Sequence, residues 1–118
     1  MDGLLVHVAL LTAINAIMAP MADLRAVASV KIDNDKLRVT EWRFAPGATT
    51  GFHRHEYDYT VVPLTTGVLA SSGPAGDSQA SLVTGEPYFR AAGVEHDVRN
   101  VNPFEFVFLE IELKTSRH

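Results

Sequence analysis

Apolar and polar residues alternate over short stretches of this chain, and turn residues separate the stretches. From residue 22 onward, runs of strand-forming residues are separated by glycine, proline and asparagine. Short alternating runs with this punctuation predict β-strands. The predicted strands are Val27–Ile32, Leu37–Phe44, Phe52–Pro63, Val68–Ser71, Ser78–Thr84, Tyr88–Arg90, His96–Val101 and Phe104–Leu113. Because no helical pattern alternates with these strands, the order predicts an all-β sandwich or barrel.

The N-terminal part of the chain has a different pattern. Gly3–Ala19 is almost continuously apolar, and Pro20 would end a helix there. We expect an apolar N-terminal segment over residues 1–21, either a helix or an arm, and a β-barrel over residues 22–118. A signal peptide is the alternative, although the chain begins with Met1-Asp2 and not with a basic stretch. A membrane span is disfavoured because the run is short and contains polar residues.

Composition limits the class of protein further. A length of 118 residues corresponds to one domain, and a hydrophobic fraction of 47% supports a packed core. The net charge of −4 argues against a nucleic-acid-binding surface, which needs a basic face. The chain has no cysteine, which excludes disulfides and thiol nucleophiles and fits a reducing compartment. We therefore expect a cytoplasmic domain that binds neither nucleic acid nor membranes.

Three histidines occupy positions that could meet inside a barrel. His53 and His55 are separated by one residue, so both imidazoles project from the same face of an extended segment. His96 lies much later in the chain, after Gly93 and Glu95. Imidazole is the commonest protein ligand for transition metals. Two histidines on one face and a third from a distant strand predict an open metal site with three nitrogen ligands.

The spacing around these histidines resembles the two sequence motifs of the cupin family. The residues that carry the resemblance are Gly47, His53, His55 and Gly67 in the first motif and Gly85, Gly93, His96 and Asn100 in the second. Thr60 stands where the family usually has glutamate, and Ala91 where it has proline. More narrowly, the chain is similar to small single-domain cupins associated with β-alanine degradation. The resemblance implies a double-stranded β-helix, the cupin or jelly-roll barrel, here with a short N-terminal helical segment.

The missing glutamate leaves three ways to complete the site. A threonine hydroxyl is neutral and a weak ligand, so the site could remain an open three-histidine site. Alternatively, Tyr59 lies on the histidine face by simple alternation, and its phenol could bind the ion or hydrogen-bond to a ligand. Glu56 lies on the opposite face and would reach the ion only through a bulge. The expected cofactor is a divalent ion of iron, zinc, nickel, manganese, cobalt or copper.

Two residues are candidates for a catalytic role beside the metal ligands. Tyr59 would act through its phenol, and Arg90, just before the second motif, could bind a substrate carboxylate through two hydrogen bonds. The plainer interpretations are core packing for Tyr59 and a solvent-facing side chain for Arg90. Gly93 and Asn100 are expected to shape the turn that positions the third histidine. The remaining large aromatic residues are expected to fill the core: Trp42, Phe44, Phe52, Phe104, Phe106 and Phe108.

The resemblance implies a metal-binding cupin domain that acts on a small polar organic molecule. An open three-histidine site is compatible with oxygenase- or isomerase-like metal chemistry. The alternatives are a non-catalytic ligand-binding or accessory module and a metal-free structural barrel. No separate general base is identifiable from the sequence. Cupins commonly pair through edge strands, so we also expect a homodimer.

Overall fold

A computed structural model of the chain describes residues 24–116. The segment predicted over residues 1–21, with its helix or arm, lies outside the described residues. The described elements are β1 (Val27–Asp33), β2 (Leu37–Phe44), β3 (His53–Arg54), β4 (Asp58–Pro63), β5 (Gly67–Ser72), β6 (Ser78–Leu82), β7 (Tyr88–Arg90), β8 (Glu95–Asn100), β9 (Phe106–Leu113) and a short 3-10 helix (Lys114–Ser116).

The nine strands form two antiparallel sheets around a common core. One sheet has five strands in the order β1-β2-β9-β4-β7, and the other has four in the order β3-β8-β5-β6. The core contains residues of both sheets, including Phe44 and Tyr59 from the first and Leu69 and Leu82 from the second. The prediction of an all-β fold is therefore confirmed.

Strands β2 and β9 form the centre of the larger sheet, and their inward faces change character along their length. Alternate residues of β9 are buried, and each lies opposite an inward residue of β2. The facing pairs, from one end to the other, are Phe44 with Phe106, Trp42 with Phe108, Thr40 with Glu110, and Arg38 with Glu112. The aromatic end belongs to the core, whereas the other end carries charge.

The aromatic end is closed by tight packing. Phe44 and Phe106 are fully buried, and the rings of Phe44 and Phe108 lie 5.5 Å apart between centroids. Burying a phenylalanine side chain of this kind stabilises the fold by roughly 2–3 kcal/mol. Two aromatic residues that were expected in the core are instead exposed, Phe52 at 63% and Phe104 at 45%. They lie in loops, where strand alternation does not direct a side chain inward.

The side chain of Asn100 forms hydrogen bonds that stabilise the closed, aromatic end. It is 1% exposed, and its Nδ2 donates hydrogen bonds to the carbonyl oxygens of Phe104 at 2.8 Å and Phe44 at 3.1 Å. Its Oδ1 accepts a hydrogen bond from the backbone N–H of Asn102 at 2.9 Å. The motif asparagine therefore joins the ends of β2 and β8 to the loop before β9. This role is structural, but it lies at the end of β8 away from His96 and not in the turn that was expected to position that histidine.

The predicted long strand Phe52–Pro63 is broken into β3 and β4, which belong to different sheets. Strands β4 and β5 also lie in different sheets and do not pair with each other. Residues 64–66 instead carry the chain from one sheet to the other. The break after β3 lets the histidine-bearing segment pair with β8 while β4 pairs with β9.

Candidate metal centre

Backbone pairing brings the three histidines together. On β3, His53 lies directly opposite His96 of β8. Just after β3, the backbone N–H of His55 donates to the carbonyl of Val94 at 2.9 Å, and its own carbonyl accepts from the N–H of Gly93 at 2.8 Å. Gly93 has a φ of 99°, which a glycine adopts without strain. The turn of the second motif therefore holds the histidines of the first.

The three imidazoles converge on one point. The Nε2 atoms of His53 and His55 are 3.0 Å apart, and those of His55 and His96 are 3.2 Å apart. One ligand nitrogen from each histidine lies within 4.8 Å of the others. Nitrogens bound tetrahedrally to a zinc ion, with Zn–N bonds of about 2.1 Å, would be about 3.4 Å apart. The spacing found here suits a single first-row metal ion.

The opposite ring nitrogens of two of the histidines have their own partners. His53 Nδ1–H donates to the carbonyl oxygen of Gly51 at 2.8 Å, and His96 Nδ1 lies 3.3 Å from Ser71 Oγ. A partner at Nδ1 fixes the ring orientation and leaves the Nε2 lone pair facing the shared point. This arrangement of partners is the one that metal-binding histidines use.

Burial keeps two of the three histidines, His55 and His96, neutral before any ion binds. It lowers the pKa of His55 to about 3, with further contributions from the neighbouring His53 and His96. Burial likewise lowers the pKa of His96 to about 4, with a contribution from His53. At neutral pH protons do not compete for these two nitrogens. Oriented imidazoles fit a divalent ion, and the residues that would hold it are His53, His55 and His96.

Strand alternation shows which way Thr60, the residue in place of the family's glutamate, points. Tyr59, Val61 and Pro63 are the buried residues of β4, so Thr60 points away from the site. Tyr59 takes the inward place, and its ring stacks on His55 with 3.8 Å between centroids and an interplanar angle of 17°. Burial raises the pKa of the Tyr59 phenol, so it stays protonated at neutral pH.

Arg90 lies on β7, opposite Tyr59 in the sheet register. Its guanidinium is 5.7 Å from the centroid of the Tyr88 ring, and its side chain lines a small cavity together with His96. Its positive charge contributes to lowering the pKa of His96. Tyr59 and Arg90 both lie beside the histidines, and a catalytic role for either stays a prediction. Glu56 is exposed near the mouth of the site and is not in the ligand group.

The histidines line an inner cavity of about 50 Å³, and an outer cavity of about 230 Å³ shares part of its lining. The inner walls are mostly aromatic and aliphatic. Trp42, Thr50 and Glu110 belong to both cavities, and the outer mouth adds Arg38 and Glu112. A space of this size admits a small polar molecule beside the ion.

Sequence reasoning missed the acidic residues of β9. Glu110 lines the inner cavity and is 8% exposed, and burial, with the nearby negative charge of Glu112, raises its pKa to about 7. Glu112 forms a two-point ion pair with Arg38, at 3.0 and 3.1 Å. The available signal was alternation, because Phe106, Phe108, Glu110 and Glu112 are every second residue of one strand.

Comparison with known proteins agrees with this architecture. The beta-alanine degradation protein BauB of Pseudomonas aeruginosa is 58% identical over 90 residues, which cover 76% of this chain and 95% of BauB. The crystal structure of a cupin domain from Bordetella pertussis superposes with a TM-score of 0.76 at 52% identity, covering 77% of this chain and 95% of that domain. No family model matches the chain.

More distant structures share the fold alone. A protein with a double-stranded β-helix domain from Klebsiella pneumoniae gives a TM-score of 0.65 at 19% identity, over 80% of this chain and 81% of that one. An RmlC-like cupin from Methanocaldococcus jannaschii gives a TM-score of 0.64 at 10% identity, covering 75% of this chain and 79% of that one. Within residues 24–116, no helix is long and apolar enough to cross a membrane. The predicted double-stranded β-helix is confirmed, and the chain belongs to the family of small cupin proteins that includes BauB.

Proposed function

We propose that this protein is a metal-dependent cupin that binds a small polar organic molecule at a three-histidine centre and transforms it. The observation that carries the proposal is the convergence of three imidazoles, with Nε2 separations of 3.0 and 3.2 Å, on one cavity. A divalent ion held by neutral ligands alone keeps its full charge and would polarise the oxygen atoms of a bound molecule.

The chain's own residues would supply orientation and exclude water. The carbonyl of Gly51 and the hydroxyl of Ser71 fix two of the imidazoles. Tyr59 supports the third by stacking on His55. The inner cavity is lined mainly by apolar and aromatic side chains, which lowers the local dielectric and strengthens the attraction between the ion and an anionic ligand.

The test is elemental analysis of untagged protein, followed by titration with zinc, nickel, manganese, cobalt, copper and anaerobic iron(II). We expect about one ion per chain in the wild type and none in His53→Ala or His96→Ala, with unchanged circular dichroism. His118→Ala, which removes a histidine outside the motifs, is the matched control. Wild-type protein that binds no ion under any of these conditions would refute the proposal.

Oxygenase-like and isomerase-like chemistry are both compatible with an open three-histidine centre, and the bound ion distinguishes them. Iron with ligand-dependent oxygen uptake would indicate an oxygenase. Zinc or nickel without oxygen uptake would indicate an isomerase or a hydrolase-like reaction. Retention of an ion and a ligand without turnover would identify a binding or accessory module, which the absence of the family's glutamate supports.

The relationship to BauB extends the proposal to a role in β-alanine degradation. The test is growth of BauB-deficient Pseudomonas aeruginosa on β-alanine as carbon source. We expect the wild-type chain to restore growth and His96→Ala not to restore it.

The proposed location of the protein is the cytoplasm, in keeping with an acidic, cysteine-free chain. Cell fractionation tests that location.

A homodimer is part of the same proposal. Strand β1 is the edge of the five-stranded sheet, and all seven of its residues are exposed. They include Val27 at 63%, Val30 at 58% and Ile32 at 49%. An exposed apolar edge strand favours pairing with a second chain. Light scattering that gives the mass of a single chain would contradict the dimer.

A further inference from the structure

Glu110 shares the inner cavity with the three histidines but is not one of the ion's ligands. It lies on β9 between Thr40 of β2 and Val61 of β4, and it is 8% exposed. The group of side chains close enough to share one ion contains no carboxylate among the described residues. Glu110 is nevertheless the carboxyl group that lines the inner cavity. Its position is therefore beside the space that a ligand would fill.

Charged and titratable groups surround Glu110 on several elements. Burial is the largest influence on its pKa, which lies at about 7; the charge of Glu112 raises it further, while Arg38 and Trp42 lower it. Glu110 in turn contributes to the raised pKa of Tyr59 and of Tyr88. The groups that line the cavity with it are His53, His55, His96, Tyr59, Tyr88 and Trp42. In this setting the carboxyl group can hold or release a proton near neutral pH.

Trp42 lies beside Glu110 in the same cavity. Its indole Nε1 is buried and makes no hydrogen bond of normal distance and angle among the described residues. Its N–H and the carboxyl group of Glu110 make a long contact, which lowers the pKa of that carboxyl group. A ligand with an acceptor oxygen would give the indole N–H a hydrogen bond of normal geometry.

We propose that Glu110 is the proton-transfer residue of this cavity and that its ligand is a small oxo acid, which accepts a hydrogen bond from the Trp42 indole. This inference rests on the proposed function, since an ion at the histidines positions the ligand. In the transfer, the C–H bond next to the carbonyl breaks and its electron pair moves toward the carbonyl oxygen. An O–H bond forms on Glu110, and the reverse step returns the proton.

An oxo acid matches the three features on the cavity wall. One oxygen would reach the ion at the histidines, a second would accept from the indole, and the acidic C–H would face the carboxyl group. Arg38 does not compete for the ligand's carboxylate, because Glu112 already engages it through two hydrogen bonds. Arg54, with 61% of its side chain exposed at the outer mouth, has a looser partner in Glu95 at 3.8 Å.

The first experiment follows the indole N–H resonance by NMR between pH 5 and 9. Trp42 is the only tryptophan in the chain, so one resonance reports on this place. We expect a titration with a midpoint near pH 7 in the wild type and none in Glu110→Gln. Glu112→Gln should move the midpoint to lower pH, because it removes a negative neighbour. Glu86→Gln, on an exposed turn, is the control and should leave the midpoint unchanged.

The second experiment measures exchange of the methyl protons of pyruvate in D₂O by proton NMR, with zinc-loaded protein. General base catalysis contributes about 100-fold or more, so we expect Glu110→Gln to be slower by at least that factor. Its zinc affinity should stay within about threefold of the wild type, because Glu110 lies outside the ligand group. Trp42→Phe should weaken pyruvate binding while leaving zinc binding intact.

The outcomes separate this inference from the proposed function. Suppose that the wild type and Glu110→Gln both bind zinc. Equal rates of pyruvate proton exchange in the two proteins, or no exchange in either, would then overturn the role of Glu110 without contradicting the metal centre. An indole titration that persists in Glu110→Gln would overturn it as well. Failure of the wild type to bind any ion would contradict the metal centre, and the indole titration, which needs no ion, would still test the carboxyl group.

Discussion

The two ends of the β2–β9 pair are built from the same backbone pattern and differ in what their side chains do. At the closed end, Phe44 and Phe106 are fully buried and fill the space between the sheets. At the open end, the corresponding inward positions of β9 are Glu110 and Glu112, and the cavity begins there. Alternation decides which residues face inward, whereas residue type decides whether the interior is packed or hollow.

The two ends also differ in how well they accommodate a carboxyl group. A carboxyl group at the closed end would lie among phenylalanine rings without a partner, which costs several kcal/mol. At the open end, Arg38 neutralises Glu112, and Glu110 keeps its proton up to about pH 7. The comparison leads to four predictions, from the largest expected effect to the smallest.

Phe44→Ala at the closed end should destabilise the protein by about 3–5 kcal/mol, because it leaves a cavity in a tightly packed region. Urea unfolding followed by circular dichroism measures this change. Val30→Ala on the exposed edge strand is the control and should change the free energy of unfolding of the monomer by less than about 1 kcal/mol. A small loss for Phe44→Ala would mean that the closed end is not a rigid core.

His96→Ala at the open end should leave the free energy of unfolding of the metal-free protein nearly unchanged. The affinity for zinc should fall by more than about 100-fold, since even outer-shell partners contribute 10- to 100-fold. Calorimetric titration with zinc measures the affinity. A collapse of the fold without metal would show that both ends depend on the histidines, and the contrast between them would be lost.

Glu110→Gln should make the stability of the protein less dependent on pH. The folded-state pKa of about 7 lies above the ordinary value of 4.5, so the folded chain keeps a proton that the unfolded chain loses between these values. Stability of the wild type therefore falls as pH rises from about 4.5 to 7, by up to roughly 3 kcal/mol from this group. The variant should equal the wild type near pH 4 and exceed it at pH 8. Urea unfolding at both pH values decides this.

Ser71→Ala should have the smallest effect. It removes the hydroxyl that lies 3.3 Å from His96 Nδ1 and leaves all three ligands in place. Loss of such a partner typically weakens metal binding by 10- to 100-fold, and we expect about tenfold at this distance. Calorimetry measures the change, and Ser78→Ala, on the exposed strand β6, is the control. An unchanged affinity would show that the Gly51 carbonyl and ring stacking suffice to orient the histidines.

Much of the fold and the centre of the site could be predicted from the sequence. Strand β2 has the predicted bounds, and the spacing of His53, His55 and His96 predicted the group of histidines that the structure brings together. Local patterns suffice in these cases, because alternation and motif spacing are properties of the chain itself.

Other features depend on which strands become neighbours, and this could not be seen locally. The break after β3 arises because the two halves of one predicted strand pair in different sheets. Phe52 was expected inside, yet it lies in the loop before that break and is exposed. Glu110 was missed for the opposite reason, since an acidic residue on an inward position looks unfavourable until the cavity beside it is known.

The main chain around His55 has a consequence for redesign. Its N–H and carbonyl are both engaged by residues 93–94, at 2.9 and 2.8 Å, whichever side chain position 55 carries. A carboxylate or a thiolate could therefore be introduced there while the backbone keeps its path. Harder or softer ions would then be favoured according to the donor atom chosen. The barrel would in this sense be a scaffold on which the candidate ligand set could be changed one residue at a time.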